Sequence, residues 1–450
     1  MRPNIVFYFT DQQRADTCGC FGQQLDVTPN LDKLANEGVK FNNAFSAQPV
    51  CGPCRSIFQT GKWPTETGCF RNNVMLPRNV KTLGQYIEEA GYETAYIGKW
   101  HLASDGELEK PPTVDYTTKA IPKGSRGGYT GFWRAADVLE FTSHGYDGYV
   151  FDENNKRIDF KGYRADCITD LALDFFDIRD SSKPFFMTIS HIEPHHQNDH
   201  RHYEGPNGSK EKYKDYEVPN DLKALGGDYK EEYPDYLGAC AALDNNLGKV
   251  IAKLEERGLF DNTVIIFASD HGSHFKTRNL DEHLNGYDDY KRSCHDSCLR
   301  VPLVISGGPF KGGIAVEDLV STSSLPKTIL ALAGVDVGDK MIGEDLIDII
   351  EKKDNNRCNE IFAQISESRC GRCVRTKDYK YAVYAPGVSG GDAAAANIYA
   401  DDFLYDLNKD PHELRNLTDE PDYHTVKLEM RKKLLRWIKE AEDVTPEIVD

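Results

Sequence analysis

Five short apolar runs constrain this chain more than anything else in it: Ile5 to Phe9, Thr94 to Ile97, Phe185 to Ile189, Val264 to Ala268 and Val301 to Ile305. Rich in Val, Ile, Phe and Tyr and mostly free of polar alternation, they read as parallel strands covered on both faces. Helical patterns lie between them. Leu31 to Gly38 and Leu83 to Gly91 each close on a glycine, and a longer amphipathic helix is predicted from Tyr236 to Gly258. The order predicts an α/β fold with a doubly wound, mostly parallel sheet flanked by helices. Such sheets bind ligands beyond the carboxyl ends of their strands. Here those ends carry Thr10-Asp11-Gln12, Lys99-Trp100-His101, His191 with Pro194-His195-His196, and Ser269-Asp270-His271-Gly272. Solvation alone does not require a ligand, base or cation at each of these strand ends.

The 450 residues are enough for a large α/β domain, taken as residues 1–345, and a smaller one over 346–450. In the second, short alternating runs (Glu360 to Ile365, Arg372 to Thr376, Lys380 to Tyr384, Phe403 to Leu407) precede a helix from about Tyr423 to Ala441, the pattern of an antiparallel sheet with a packed helix. Residues 105–165 and 197–235, rich in Gly, Tyr, Asp and Lys, read as long functional loops, with Tyr and Trp side chains as candidates for stacking on a sugar ring. Lys and Arg total 54 against 72 Asp and Glu, for a formal charge of −18. With no basic run, nucleic acid is excluded as a partner. An anionic substrate then needs cations gathered in one cleft. No stretch is apolar enough for a membrane helix, so no membrane partner is expected. The run after Asn4 reads as a strand rather than a signal peptide, and the twelve cysteines as reduced thiols of a cytoplasmic protein; a secreted chain whose leader has been removed would read the same. Nothing in the sequence fixes an oligomeric state.

Cys51-Gly52-Pro53-Cys54-Arg55, with Thr60-Gly61 following, resembles the sulfatase signature Cys-x-Pro-x-Arg with Thr-Gly five residues after the Arg. Further blocks resemble the same family in its own order: Ile5 to Asp11, Thr28 to Asp32, Gly91 to Leu102, Ser269 to Gly272, Leu299 to Leu303, Leu404 to Leu407, then Asp410-Pro411 and Asn416-Leu417. The resemblance implies an alkaline phosphatase-like fold and a sulfuric ester hydrolase. It also implies that a sulfatase-maturating enzyme oxidises Cys51 to formylglycine, whose hydrated aldehyde supplies the nucleophile, with Arg55 fixing the hydrate. Asp11, Gln12, Asp270 and His271, with the modified residue 51, are the implied ligands of a divalent metal. Hard oxygens with one imidazole suit Ca²⁺ first, and Mg²⁺ or Mn²⁺ as well. Lys99 is implied to bind a sulfate oxygen, His101 to assist sulfate release as a base, and His195 with Lys291 to bind sulfate and protonate or stabilise the leaving alkoxide.

The sequence departs from the family pattern at two positions. Cys54 stands where Ser or Ala is more usual, and Gln12 where a second acidic residue is usual. The Asp11-Gln12 pair is shared with family members resembling phosphonate monoester hydrolases, so phosphonate monoester or phosphodiester hydrolysis with the same nucleophile is the first alternative. A second is a non-enzymatic zinc or redox protein using Cys51-x-x-Cys54, Cys370-x-x-Cys373 and Cys18-x-Cys20. Asp11 or Asp270 taken singly could be a helix cap or turn residue. His191, His196, His200 and His202 surround His195; a zinc site is one reading of them, and substrate contacts or solvated loop positions the preferred one. His274, His283 and His295 receive no role. The expected substrate is a sulfated small molecule or saccharide, with a carbohydrate sulfate foremost because that class is common in the family.

Overall fold

The computed structural model describes residues 2–107, 110–278, 290–353 and 357–449. Among these residues, eleven strands form one sheet and five a second. In chain order the large sheet is built from β1 (Asn4–Thr10), β2 (Val39–Phe45), β3 (Glu93–Lys99), β4 (Phe132–Ala136), β5 (Ser143–His144), β6 (Asp147–Asp152), β7 (Arg157–Lys161), β8 (Phe185–Ser190), β9 (Thr263–Ser269), β10 (Leu303–Ser306) and β11 (Ile314–Ser321). The spatial order β11-β2-β10-β9-β1-β8-β3-β4-β6-β5, with β7 beside β6, puts β1 at the centre.

β9, β1, β8, β3 and β4 run parallel, as expected. Along β1, Ile5, Phe7 and Phe9 enter one apolar cluster while Val6 and Tyr8 enter the other. Burial on both faces explains the unbroken apolar run. One face is covered by the helices Pro29–Glu37, Arg164–Leu173 and Tyr229–Glu256, the other by Cys51–Thr60, Leu83–Glu89 and Leu325–Leu332.

Several expectations need correction. The run from Val301 gives a strand only from Leu303, and β10 pairs antiparallel with both β9 and β2. The 105–165 stretch is not one loop: β4 extends the parallel array and β6 with β7 forms a hairpin beside it. The long helix starts at Tyr229, seven residues before Tyr236. Pro234 lies inside it, and buried Tyr229, Tyr233 and Tyr236 hold that first part by packing. Gly38 follows its helix without a left-handed turn (φ −103°); a Cβ there would lie 2.4 Å from the Ile305 carbonyl oxygen, so what it provides is close approach to β10.

The small sheet, β12 (Ile361–Ile365), β13 (Gly371–Arg375), β14 (Tyr379–Tyr384), β15 (Ile398–Asp406) and β16 (Glu447–Val449), is antiparallel except for β16, and the helix His424–Glu442 packs on it through Met430, Leu434 and Ile438. The small sheet meets the rest of the chain through charge as well as apolar contact. Asp296 accepts from Arg375 and Lys380, and Lys380 also pairs with Glu413. No helix among the described residues is long and apolar enough to cross a membrane.

Candidate active site

The carboxyl ends of β1, β3, β8 and β9 converge on the first residue of the helix Cys51–Thr60. Cys51 is fully buried, and its Sγ lies 3.3 Å from Asp11 Oδ1, 3.3 Å from His271 Nε2 and 3.1 Å from Lys291 Nζ. Burial opposes ionisation of this thiol, yet Lys291, Lys99 and His271 outweigh it and hold the thiol well below its usual range. His101 lines the cavity above the same sulfur and favours its ionised form. The sequence suggests an extended chain from Lys99 to His101; instead His101 has φ +60°. Its backbone N–H donates to Asp137 O at 2.6 Å, and the Asp137 carboxylate accepts the next three N–H groups, of Leu102, Ala103 and Ser104. Asp137, just past β4, is a positioning residue that the sequence reading missed, because its strand lies in a segment read as loop.

Asp11 Oδ2 accepts from Lys99 Nζ at 2.7 Å and Arg55 Nη2 at 3.0 Å. Despite burial and the neighbouring sulfur, Lys99, His195 and Arg55 keep it below the usual carboxylate range. Arg55 also donates to Lys99 O at 2.8 Å and Ser190 Oγ at 2.7 Å, so one guanidinium joins the ends of β1, β3 and β8. Ser190 carries no motif and was not foreseen. His195 donates from Nδ1 to the His196 carbonyl and accepts at Nε2 from Lys291 Nζ, 2.6 Å away. Burial and Lys291 push its imidazole down to about 4, so it is neutral at neutral pH. Arg292 turns the other way, to Glu367, which leaves Lys291 as the cation of that pair facing Cys51.

Asp11, Cys51, Asp270 and His271 each offer one ligand atom within 4.8 Å of the others. Three observations fit this donor set to a cation. Asp270 Oδ2 is buried with no hydrogen-bond partner. Burial and Asp11 push the Asp270 carboxyl up to about 7, so the two close carboxylates repel one another and a cation between them would relieve both. His271 Nδ1 donates to Gly272 O, which leaves Nε2 as the acceptor facing the cluster. Gln12 Oε1 accepts the His196 N–H at 3.0 Å, while the Gln12 backbone N–H binds Asp270 Oδ1.

Of the remaining sequence candidates, His200 and His202 stay together with Glu204, while the others separate. His191 is buried against Tyr8 in the core, and His196 against Tyr203 and Tyr290. His274 accepts from Thr277 N–H and meets Lys291 O, and His295 sits between Ser293 and Tyr405, so both support structure. His200 pairs with Glu204 and stacks on His144 away from Cys51, and His202 meets the Tyr203 carbonyl. His283 lies outside the described residues. The three cysteine pairs do not converge. Cys54 donates to the Asp270 carbonyl, Cys370 meets Tyr399 in the small-sheet core, and Cys18 packs under the large sheet. All twelve thiols are free.

Above Cys51 opens a cavity of about 1650 Å³. Lys99, His101, His195 and Lys291 line its floor, and its walls come from Arg71 to Asn73, from Val138 to Phe141, and from the small sheet's Glu367 to Arg369 and 384–392 segments. The arrangement suits an anionic group held over a nucleophilic position with a large neutral or mixed-charge remainder outside.

A sulfatase family model matches residues 3–335, and one described as N-sulphoglucosamine sulphohydrolase, C-terminal, matches residues 283–440. An ulvan-active sulfatase of Formosa agariphila is 30% identical over 98% of this chain and 82% of its own length. An N-acetylglucosamine-6-O-sulfatase of Bacteroides thetaiotaomicron is 27% identical over 99% of this chain and 88% of its own. The solved structure of BT4656 in complex with its substrate D-glucosamine-2-N,6-O-disulfate aligns with a TM-score of 0.77 at 23% identity, covering 99% of each chain.

Proposed function

Because the chain belongs to the sulfatase family, we propose that it hydrolyses a carbohydrate sulfate ester, with residue 51 as the nucleophile position. The observation that carries this reading is the meeting of Lys291, His271 and Asp11 within 3.3 Å of Cys51 Sγ on the floor of the large cavity. Conversion of Cys51 to formylglycine by a maturase supplies a hydrated aldehyde there, with one hydroxyl to attack sulfur and the other to expel sulfate later. Asp11, Asp270, His271 and Gln12, with the modified residue 51, would hold a divalent ion, Ca²⁺ foremost, which when bound supplies positive charge against the sulfate oxygens.

The chain's own residues do the rest. Lys99 and Lys291 neutralise charge on the transferring group and orient it for in-line attack. His195 and Lys291 share a proton across 2.6 Å and hand it to the departing oxygen. His101, with its Nδ1 unpartnered and lining the same cavity as residue 51, takes the proton when sulfate is released. Arg55 fixes the strand ends around the nucleophile. The relatives named for ulvan and for N-acetylglucosamine 6-O-sulfate, and the neighbour solved with a glucosamine disulfate, support a saccharide as the alcohol half.

Two measurements test the reading. Mass spectrometry of the position-51 peptide, from protein made alongside a maturase, should show loss of the thiol mass and gain of the aldehyde, and Cys51→Ala should abolish turnover without changing the circular dichroism spectrum. Full activity in that variant overturns the nucleophile assignment. Parallel assays should favour sulfated glucosamine over a phosphonate monoester; the reverse preference moves the protein to the phosphonate alternative.

A further inference from the structure

Among the described residues, the large hydrophobic side chains that stand in solvent include only one that lines the cavity above Cys51. It is Phe141, 60% exposed. Its presentation is built, not incidental. The segment leaves β4 through Asp137, fixed by its bonds to residues 102–104. Leu139, buried in the core, takes φ +64° and ψ −40°, a conformation costly for a leucine and one that persists only where surroundings enforce it. The enforcement is visible: the Leu139 carbonyl accepts from Thr142 N, Thr142 Oγ1 and Ser143 Oγ, and the buried Glu140 carboxylate takes the Asn198 N–H at 2.8 Å. Leu139 and Glu140 point inward, and the reversal between them and Thr142 turns the Phe141 ring out over the cavity. The same Asn198 bond ties this turn to the loop that carries His195.

We propose that Phe141 is the stacking platform for a pyranose ring in the alcohol half of the substrate, a subsite that rests on the carbohydrate reading above. A pyranose has one C–H face that is apolar and electropositive, which complements an aromatic face, while its hydroxyls need hydrogen-bonding groups around the rim. Asn198, bonded to Glu140, stands beside the turn, and elsewhere the same cavity is lined by the polar Arg71, Asn72, Asn73 and Glu107. An exposed aromatic face beside polar groups suits a sugar, and Tyr384 is a second aromatic lining the same cavity. The candidates from sequence were Tyr and Trp, and the structure puts a Phe in the place.

The test compares the matured native enzyme with Phe141→Ala and Phe141→Trp on N-acetylglucosamine 6-sulfate and on sulfated disaccharides, with inorganic sulfate as inhibitor. The alanine variant should raise KM for the best sugar sulfate about tenfold, with the loss falling on KM rather than kcat, and tryptophan should restore it. Inhibition by inorganic sulfate should be equal in all three, because it occupies only the cavity floor. Unchanged KM in Phe141→Ala, with sugar sulfates still hydrolysed, overturns the stacking role and leaves the proposed function standing. Turnover of 4-nitrophenyl sulfate but of no sugar sulfate overturns the carbohydrate reading and this subsite with it.

Discussion

At the scale of single residues, the site is a balance of buried charges in which Asp270 keeps an unmet demand. Asp11 is satisfied by Lys99 and Arg55, whereas Asp270 keeps one buried oxygen without a hydrogen-bond donor, Arg55 Nε lying 3.9 Å away. Chelation should therefore lower the melting temperature, and Ca²⁺ at a hundredfold excess over its dissociation constant should restore about 2.7 kcal/mol by mass action. Asp270→Asn should lose most of that response in a thermal shift titration; an undiminished response would remove Asp270 from the cation site. The residues gathered around Cys51 were legible because they carry motifs or stand just past apolar runs. Asp137, Ser190 and Glu367 act through backbone groups or through another side chain, and a single Asp, Ser or Glu in sequence carries no sign of such a partner.

Among the elements, the parallel centre was readable because strands buried on both faces leave unbroken apolar runs. β2 and β11 were missed, since Lys40, Asn42 and Asn43 in one and Glu317 and Asp318 in the other interrupt the apolar pattern towards a sheet edge. β4 was missed because it is five residues long with Arg134 inside it. One close approach within the centre is sharply testable. Gly98, in β3, has φ +101°, and a Cβ there would lie 2.0 Å from the Ser190 carbonyl oxygen of β8. Gly98→Ala should destabilise the protein by more than about 3 kcal/mol and cut expression of soluble chain, whereas Gly124→Ala, with open space around it, should be neutral in the same denaturation assay.

For the molecule as a whole, the small sheet is tied to the short helix Asp296–Leu299, before β10, by a partly buried ionic clamp. Arg375 and Lys380 hold the Asp296 carboxyl below its ordinary range in spite of burial. A carboxylate whose folded pKa is depressed stabilises the fold above its unfolded pKa of about 4 and loses that contribution as the pH falls further. Unfolding free energy measured from pH 5 down to 2 should therefore drop. In Asp296→Asn it should start about 3 kcal/mol lower and fall less steeply; an equal slope would exclude the clamp from acid sensitivity. The feature with the widest reach is Arg55. Its flat, rigid fork bolts three strand ends to one another directly beneath the reacting position. The spacing of Asp11, Lys99 and Ser190 is thus set by the dimensions of a single side chain rather than by loops, so the outer rim is free to reshape while the groups below keep their gauge.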